Sequence, residues 1–461
     1  MRLISTLLTT PGLRPKRGVS ATLGSAGAPA SIRPRLRRLT GCSRRQPRSC
    51  RRPKKSPLPL PPLAGASRSS TANWLRSPSM TPQRARLRRK GIDLRHIVCF
   101  VRLLTLLKCV AGSPMAASIS IIMPAYRAAR YLERALPPLI ALRERGAVSE
   151  VIVVDDASGE PSTQEAARRL GATVLALNKN AGPGAARNFG VRQSSGDILW
   201  FVDADVVAHP CGPDKIRAAL AEDSIGAVFG SYDNLPPEKN FASTYKNLVH
   251  RFYHQRAKAN SDSFWSGCGA VRRAAFLEVG GFEEARFGRP AVEDVELGYR
   301  LRIAGWKIRL SHDLLGTHLK RWTLVDVIRT DIFHRAVPWS NLILAGRGVN
   351  DDLNVSRSER LKAAAAWLWV VSAAILLASG ITMSSALLSS AMTLALVALN
   401  APLIAFFFRE RGAWFSFRAF MFHQLYYLYS SATFLACMLR FHLSRGRGGA
   451  ALAARAPAAV E

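Results

Sequence analysis

Between Ala363 and Phe408 the chain runs for 46 residues without one Asp, Glu, Lys or Arg. No other feature constrains its folding as strongly. A helix crosses a bilayer with about 20 apolar residues, so this run is long enough for two crossings. Gly380 to Ser385 (GITMSS) supplies a break, and the reading is a hairpin of spans over 363–379 and 386–408. Trp367 and Trp369 stand near one end, where interfacial aromatics gather. A third uncharged stretch, 419–439, is interrupted by His423, Gln424 and three tyrosines. It reads either as a third span or as a buried helix. Arg357, Arg360 and Lys362 precede the hairpin and Arg409, Arg411 and Arg418 follow it. By the positive-inside tendency both flanks are cytoplasmic, and residues 118–360 with them. A third span would carry Arg440, Arg445 and Arg447 outside, against that tendency. The expectation is a multi-pass protein of the inner or plasma membrane with its larger domain in the cytoplasm.

A formal net charge of +34 would by itself suggest nucleic acid or an anionic surface. Its distribution argues otherwise. Residues 1–117 hold 25 Lys or Arg and one acidic residue, Asp93, whereas the other 344 residues hold 40 and 30. This Arg/Pro/Ser-rich extension has too few apolar periodic segments to offset the entropy of ordering, and is expected to be disordered. It reads as a misplaced start, with the true one at Met115 just before the first strand, as a transit or signal-anchor region, or as a basic tail. Only Trp74 offers a stacking platform in residues 1–95, so no specific nucleic-acid partner is expected. Residues 97–111 carry Arg102 and Lys108 and fit an amphipathic helix better than a span. Residues 346–362 read as a juxtamembrane linker and 441–461 as a flexible tail. With no C-x-x-C pair among seven cysteines, reduced thiols fit the cytoplasmic side.

Residues 118–320 alternate short apolar runs with helical patterns, the mark of an α/β domain around a largely parallel sheet, and the domain is expected to run over 118–345. Runs at 119–123, 151–154, 173–177 and 198–202 are expected strands; 128–142 and 184–193 are expected helices, the first weakened by Pro137-Pro138. Three strand ends carry polar groups: Pro124–Arg127, Asp155-Asp156 and Asp203-Ala204-Asp205. In open α/β sheets ligands gather at such ends.

The acidic triplet follows five apolar residues (ILWFV). Two carboxylates one residue apart in an extended segment share a side, so Asp203 and Asp205 suit a Mg²⁺ or Mn²⁺ ion that also bridges a diphosphate. Gly182 to Arg187 (GPGAAR) imitates a dinucleotide fingerprint but puts Arg187 in the third glycine's place. Arg187 at a helix start suits a nucleotide or its phosphates. Glu293-Asp294 opens another helical pattern and reads either as an electrostatic cap or as a general base for an acceptor hydroxyl. His318 to Trp322 (HLKRW) sets a metal ligand or phosphate clamp beside the basic pair Lys320 and Arg321. Trp265, in FWSGCG, either stacks on a ligand ring or fills core.

Taken in order, SIIMPAY (120–126), VVDDAS (153–158), NAGPGAARNFG (180–190), Gly196-Asp197 leading to Asp203-Ala204-Asp205, and EDVEL (293–297) resemble the family 2 glycosyltransferases, inverting enzymes of GT-A fold. The resemblance covers residues 118 to about 322. It implies a Rossmann-like mixed sheet, a nucleotide-sugar donor and a divalent cation. Pro124, Tyr126, Asp156 and Arg187 would line the nucleotide pocket, Asp203 would face ribose or metal, Asp205 would hold the metal, with His318 beside them, and Asp294, with Glu293, would supply the base. Residues 318–322 are similar to the Gln-x-x-Arg-Trp element of processive synthases with His in place of Gln, and so assign Lys320, Arg321 and Trp322 to phosphates or acceptor.

The function expected is a membrane-anchored inverting transferase acting on a lipid-linked or glycan acceptor, as a monomer or homo-oligomer. A polyprenyl-phosphate sugar synthase is the nearest alternative. A non-catalytic nucleotide-binding membrane adaptor is the alternative from another class.

Overall fold

The computed structural model describes residues 117–346 and 353–446; the basic extension and most of the tail lie outside them. In chain order the elements are β1 (Ile119–Ala125), α1 (Ala129–Glu144), β2 (Glu150–Asp155), α2 (Ser162–Arg169), β3 (Thr173–Ala176), α3 (Pro183–Arg192) and β4 (Ile198–Val202). There follow β5 (Val206–Ala208), α4 (Gly212–Ala219), β6 (Ile225–Tyr232), α5 (Phe241–Arg256), β7 (Asn260–Ser261), β8 (Cys268–Arg272) and α6 (Arg273–Glu278). Then come α7 (Glu293–Ile303), β9 (Lys307–His318), α8 (Leu324–Arg329), a π-helix (Thr330–Ala336) and α9 (Val337–Leu344), and lastly α10 (Arg357–Ala378) and α11 (Met383–Gly446).

The strands form one sheet ordered β3-β2-β1-β4-β8-β6-β9-β5, with β7 paired to β9. β1, β2, β3 and β4 are parallel, β8 is antiparallel to β4 and β6, and β6 and β9 are parallel. The sheet is therefore mixed rather than largely parallel. Every residue of β1 and β4 is buried, as expected of central strands covered on both faces. One face packs on α1 through Leu132, Leu136 and Leu139. The other packs on α3, α6 and α7 through Ala186, Phe276 and Leu297.

Helix α1 runs unbroken through Pro137 and Pro138, where the prolines were expected to interrupt it. Leu136, Leu139 and Ile140 around them are buried, so tertiary packing offsets the missing hydrogen bonds. Helix α3 crosses β1 and β2 at Gly190. A Cβ there would stand 2.6 Å from Ile122 Cγ2 and 3.0 Å from Val154 Cγ2. Gly→Ala inside a helix ordinarily stabilises. Here Gly190→Ala is expected to destabilise by about 1–3 kcal/mol through overpacking, read as a lower Tm of the purified protein.

Among the described residues two helices are long and apolar enough to cross a membrane: α10, and the apolar part of α11. Only 17% and 22% of their most apolar windows are buried, and Leu377, Ile381, Met383 and Leu394 are exposed. Helix α10 begins at Arg357, inside the expected linker, and α11 continues to Gly446, so the first residues of the expected tail are helical. The expected third stretch is helical too, set off from the second only by Gly412 at φ 79°. Its His423, Gln424 and Tyr427 are buried. Leu403, Phe407 and Ala419 of α11 pack on Tyr245, Leu248 and Phe252 of α5, which ties the apolar helices to the sheet domain.

Glu359 at the foot of α10 accepts hydrogen bonds from Tyr253 Oη of α5 and Tyr427 Oη of α11, each at 2.6 Å, and from Lys362 Nζ at 2.5 Å. Removing the charge from a buried, fully bonded carboxylate leaves donors unpaired. Glu359→Ala is expected to cost about 3–5 kcal/mol and to loosen α10 against α5, seen as faster proteolysis between 346 and 357.

Candidate active site

The parallel strands β1, β2 and β4 end on one edge, and their first loop residues line a cavity of about 1290 Å³. A pocket for one small ligand takes roughly 300–1,000 Å³, so there is room for donor and acceptor together.

At the strand-end side lie Pro124, Tyr126, Asp156, Asn180 and Gly182. Arg127 and Ala157, next to the ends of β1 and β2, adopt φ 50° and 52°, the kind of strain that persists at functional edges when surroundings over-determine it. Asp156 is turned inward: Oδ1 accepts from Ala181 N at 2.8 Å and Oδ2 from Gly182 N at 2.9 Å. Burial pushes its carboxyl up, against the two amide hydrogen bonds. The carboxylate thereby fixes the turn that starts α3. Gly182 there has φ +90°, and a Cβ would meet the Gly288 carbonyl carbon at 2.7 Å.

Arg187 is almost wholly buried. Its Nη2 donates to Asp203 Oδ1 at 2.6 Å and its Nη1 to Glu293 Oε1 at 3.1 Å, over the face of Phe282. Glu293 Oε2 also accepts from Ala291 N at 2.9 Å. This corrects the expected pairing of Glu293 with Asp294 as bases: held by a guanidinium and an amide, Glu293 is an anchor. Arg187 likewise spends both terminal nitrogens on carboxylates, a positioning role more than a direct grip on nucleotide.

Asp294 remains. It faces the cavity and is half-buried; Oδ2 accepts from Ser266 N at 3.1 Å and Ser266 Oγ at 3.3 Å, and Oδ1 from Val295 N at 2.9 Å. Burial and the neighbouring Glu293 charge raise its pKa to about 6, against the Ser266 amide and Arg187. Antiparallel pairing of Val202 with Cys268 and the bond from Asp203 N to Gly267 O (3.1 Å) bring the 264–269 loop to this point.

Asp205 and His318 meet because β5 pairs antiparallel with the end of β9, Val206 opposite His318. Asp205 Oδ2 lies 3.6 Å from His318 Nε2. Burial pushes the Asp205 carboxyl up, but His318 and Lys320 outweigh it and hold it below the ordinary range. Asp203, by contrast, is raised by burial and by Asp205, with Arg187 opposing. The expected metal trio is thus divided. Asp203 is engaged by Arg187, and among the described residues no three of His, Cys, Asp and Glu gather to hold an ion alone. A cation on Asp205, with His318 beside it, would need oxygens from a diphosphate and water, the habit of Mg²⁺ and Mn²⁺.

Of the basic run, Lys320 lines the cavity with Nζ 4.1 Å from the Trp322 ring centroid. Trp322 is buried and reaches the same cavity. Arg321 does not; its side chain is exposed, 4.0 Å from Glu238 Oε2. It is corrected out of the site, because alternate residues of an extended segment face opposite ways. Trp265 lines the cavity while packing on Tyr232 (4.9 Å) and His250 (4.5 Å), and so serves as wall and core at once. Tyr232, stacked on His318 at 4.5 Å, and His250 join the site with no motif in the sequence to announce them.

The sequence model described as glycosyl transferase family 2 matches residues 120–280. Over these residues the chain is similar to this family. The match ends before Asp294 and His318, whose places rest on the geometry above. Glycosyltransferase AglE of Haloferax volcanii is 26% identical over 213 residues, 44% of this chain and 67% of that protein. An undecaprenyl-phosphate 4-deoxy-4-formamido-L-arabinose transferase of Pseudomonas paraeruginosa is 35% identical over 122 residues, 24% of this chain and 35% of that protein. The matches thus span two thirds of one relative and about a third of the other. Among solved structures, a Pyrobaculum calidifontis mannosyltransferase in complex with GDP-Man and Mn²⁺ is 22% identical, with a TM-score of 0.48 over 70% of this chain and 88% of that one.

Proposed function

We propose that this protein is a membrane-anchored inverting glycosyltransferase. It moves a sugar from a nucleoside-diphosphate sugar to a hydroxyl of a lipid-linked or glycan acceptor. One observation carries the reading. In a single cavity, Asp294 has no cationic partner in contact, whereas Asp203 and Glu293 share Arg187, Asp205 sits with His318 and Asp156 is spent on the Ala181 and Gly182 amides.

Those environments divide the work. The acceptor hydroxyl oxygen attacks the anomeric carbon as the bond from that carbon to the diphosphate oxygen breaks. The leaving group departs with the electron pair, and the hydroxyl proton goes to Asp294. Pro124, Tyr126 and the amide-rich Asp156–Gly182 turn receive the nucleoside, and Lys320 neutralises the departing diphosphate. Asp205 and His318 would hold a divalent cation on that diphosphate, where it would stabilise the developing charge. Asp205, held ionised, is a poor base, whereas Asp294, with a pKa of about 6, accepts a proton near neutrality. The exposed apolar helices α10 and α11 would anchor the protein, with their basic flanks and the sheet domain cytoplasmic.

The test is a donor screen with detergent-solubilised full-length protein, with and without EDTA. Transfer from one nucleotide sugar, lost in EDTA and restored by Mn²⁺ or Mg²⁺, is the expected result. Asp205→Asn should lower metal-dependent donor binding on the order of tenfold or more, the usual consequence of losing a metal-site carboxylate. Donor binding without hydrolysis or transfer to any acceptor would favour a non-catalytic adaptor. Transfer to polyprenyl phosphate that survives Asp294→Asn would favour a phosphate nucleophile, which is already ionised and needs no base.

A further inference from the structure

The cavity does not end at the chemistry. Beyond Asp294 it runs along the π-helix and α9 to α10 and α11, where Trp339, Ile343, Ala364, Trp367, Phe434 and Leu435 line it. Glu359, Arg360, Ser430 and Ser431 line the same stretch, and the cations Lys246, Arg289 and Arg335 line the cavity as well; of these Lys246 and Arg335 lie on facing elements, α5 and the π-helix.

Their bonding differs. Lys246 of α5 pairs with Asp331, which also accepts from Tyr429 Oη at 2.9 Å. That pair is neutral. Arg335 is exposed to the cavity and has no carboxylate within 4.0 Å and no hydrogen-bond acceptor among the described residues. Its charge nevertheless bears on Asp294, Tyr232, Lys246 and His250, which puts it at the join of the polar and apolar arms. It sits on the π-helix, a wide turn often found at functional positions. A guanidinium aimed into a cleft without a counter-ion is a fork built for a bidentate oxyanion. An aliphatic chain suits the helix walls beyond.

We infer that Arg335, with Lys246 beside it, binds the phosphate that links the sugar of a lipid-linked acceptor to its hydrocarbon chain, and that this chain lies in the apolar arm between α9, α10 and α11. This deepens the glycosyltransferase reading and rests on it for the word acceptor; the lipid-phosphate site itself does not need turnover.

The experiment therefore measures binding. Full-length protein in detergent micelles is titrated with polyprenyl phosphate and with the matching polyprenol, followed by tryptophan fluorescence from Trp339 and Trp367. The expected result is that the phosphate improves affinity on the order of tenfold or more, the worth of a charge-assisted hydrogen bond. Arg335→Gln should erase that preference and Arg335→Lys restore part of it, with nucleotide-sugar binding retained as the check on folding. Equal affinity of the wild type for both lipids, or a preference that survives Arg335→Gln, would overturn the inference. Inorganic phosphate that binds as tightly as the lipid would assign the site to a free anion and overturn the lipid part. Failure of the transferase reading shows separately, as absence of sugar transfer by wild-type protein whose lipid preference is intact.

Discussion

Asp294→Asn is expected to lower sugar transfer by about 10²–10⁴-fold, the contribution of a positioned general base, while leaving nucleotide-sugar affinity within about twofold. The substitution keeps the size of the side chain and the acceptor oxygen for Ser266 N and Oγ. It removes the group that takes the proton and, with it, the Oδ1 acceptor for Val295 N. The pH profile supplies a second reading of the same residue. Burial and the charge of Glu293 raise Asp294 to about 6, so the base is protonated and inactive below that pH. The rate should climb as pH rises through about 6 and level off above it. In Glu293→Gln the repelling charge is gone and the limb should move to lower pH. A profile flat from pH 5 to 8 in the wild type, or equal loss of binding and turnover in Asp294→Asn, would make the residue structural.

Arg187→Met should have a large effect on stability. The guanidinium bridges Asp203 and Glu293 from a site with almost no exposure, and Met keeps much of its volume without its charge. Two carboxylates are then left facing each other at the head of α7. Breaking a buried ion pair by deleting one partner costs about 3–5 kcal/mol, a Tm loss on the order of 10 °C for a domain of this size. Part should return at acid pH. Asp203 already sits high through burial and the charge of Asp205, and Arg187 is what lowers it; without that cation the carboxyl titrates higher still. The unfolded chain then binds fewer protons than the folded one near neutrality, so the variant should gain stability as pH falls toward 5. Thermal melts of wild type and variant at two pH values measure both the loss and its recovery.

Some of the site was legible because local chemistry forces it. An apolar run ending in Asp203-Ala204-Asp205 has to be a buried strand that stops at a polar edge, and β4 covers the expected 198–202. Asp294 at a helix start behind a glycine-rich turn was likewise readable. Other roles were decided across the sheet. Asp203 and Glu293 look like their neighbours Asp205 and Asp294 in sequence, but Arg187 reaches the first two and not the others. Arg321 shares a basic run with Lys320 yet faces away. Arg335 and Lys246 carry no motif and become neighbours only when the π-helix folds over α5.

The sequence by itself determined the sheet domain, its acidic edge and the apolar helices, because burial periodicity and the absence of charge are properties of consecutive residues. Tertiary structure decided which carboxylate is left free, since that depends on where one buried guanidinium ends. It also joined the catalytic cleft to the apolar helices, through packing between α5 and α11 that no run of consecutive residues encodes.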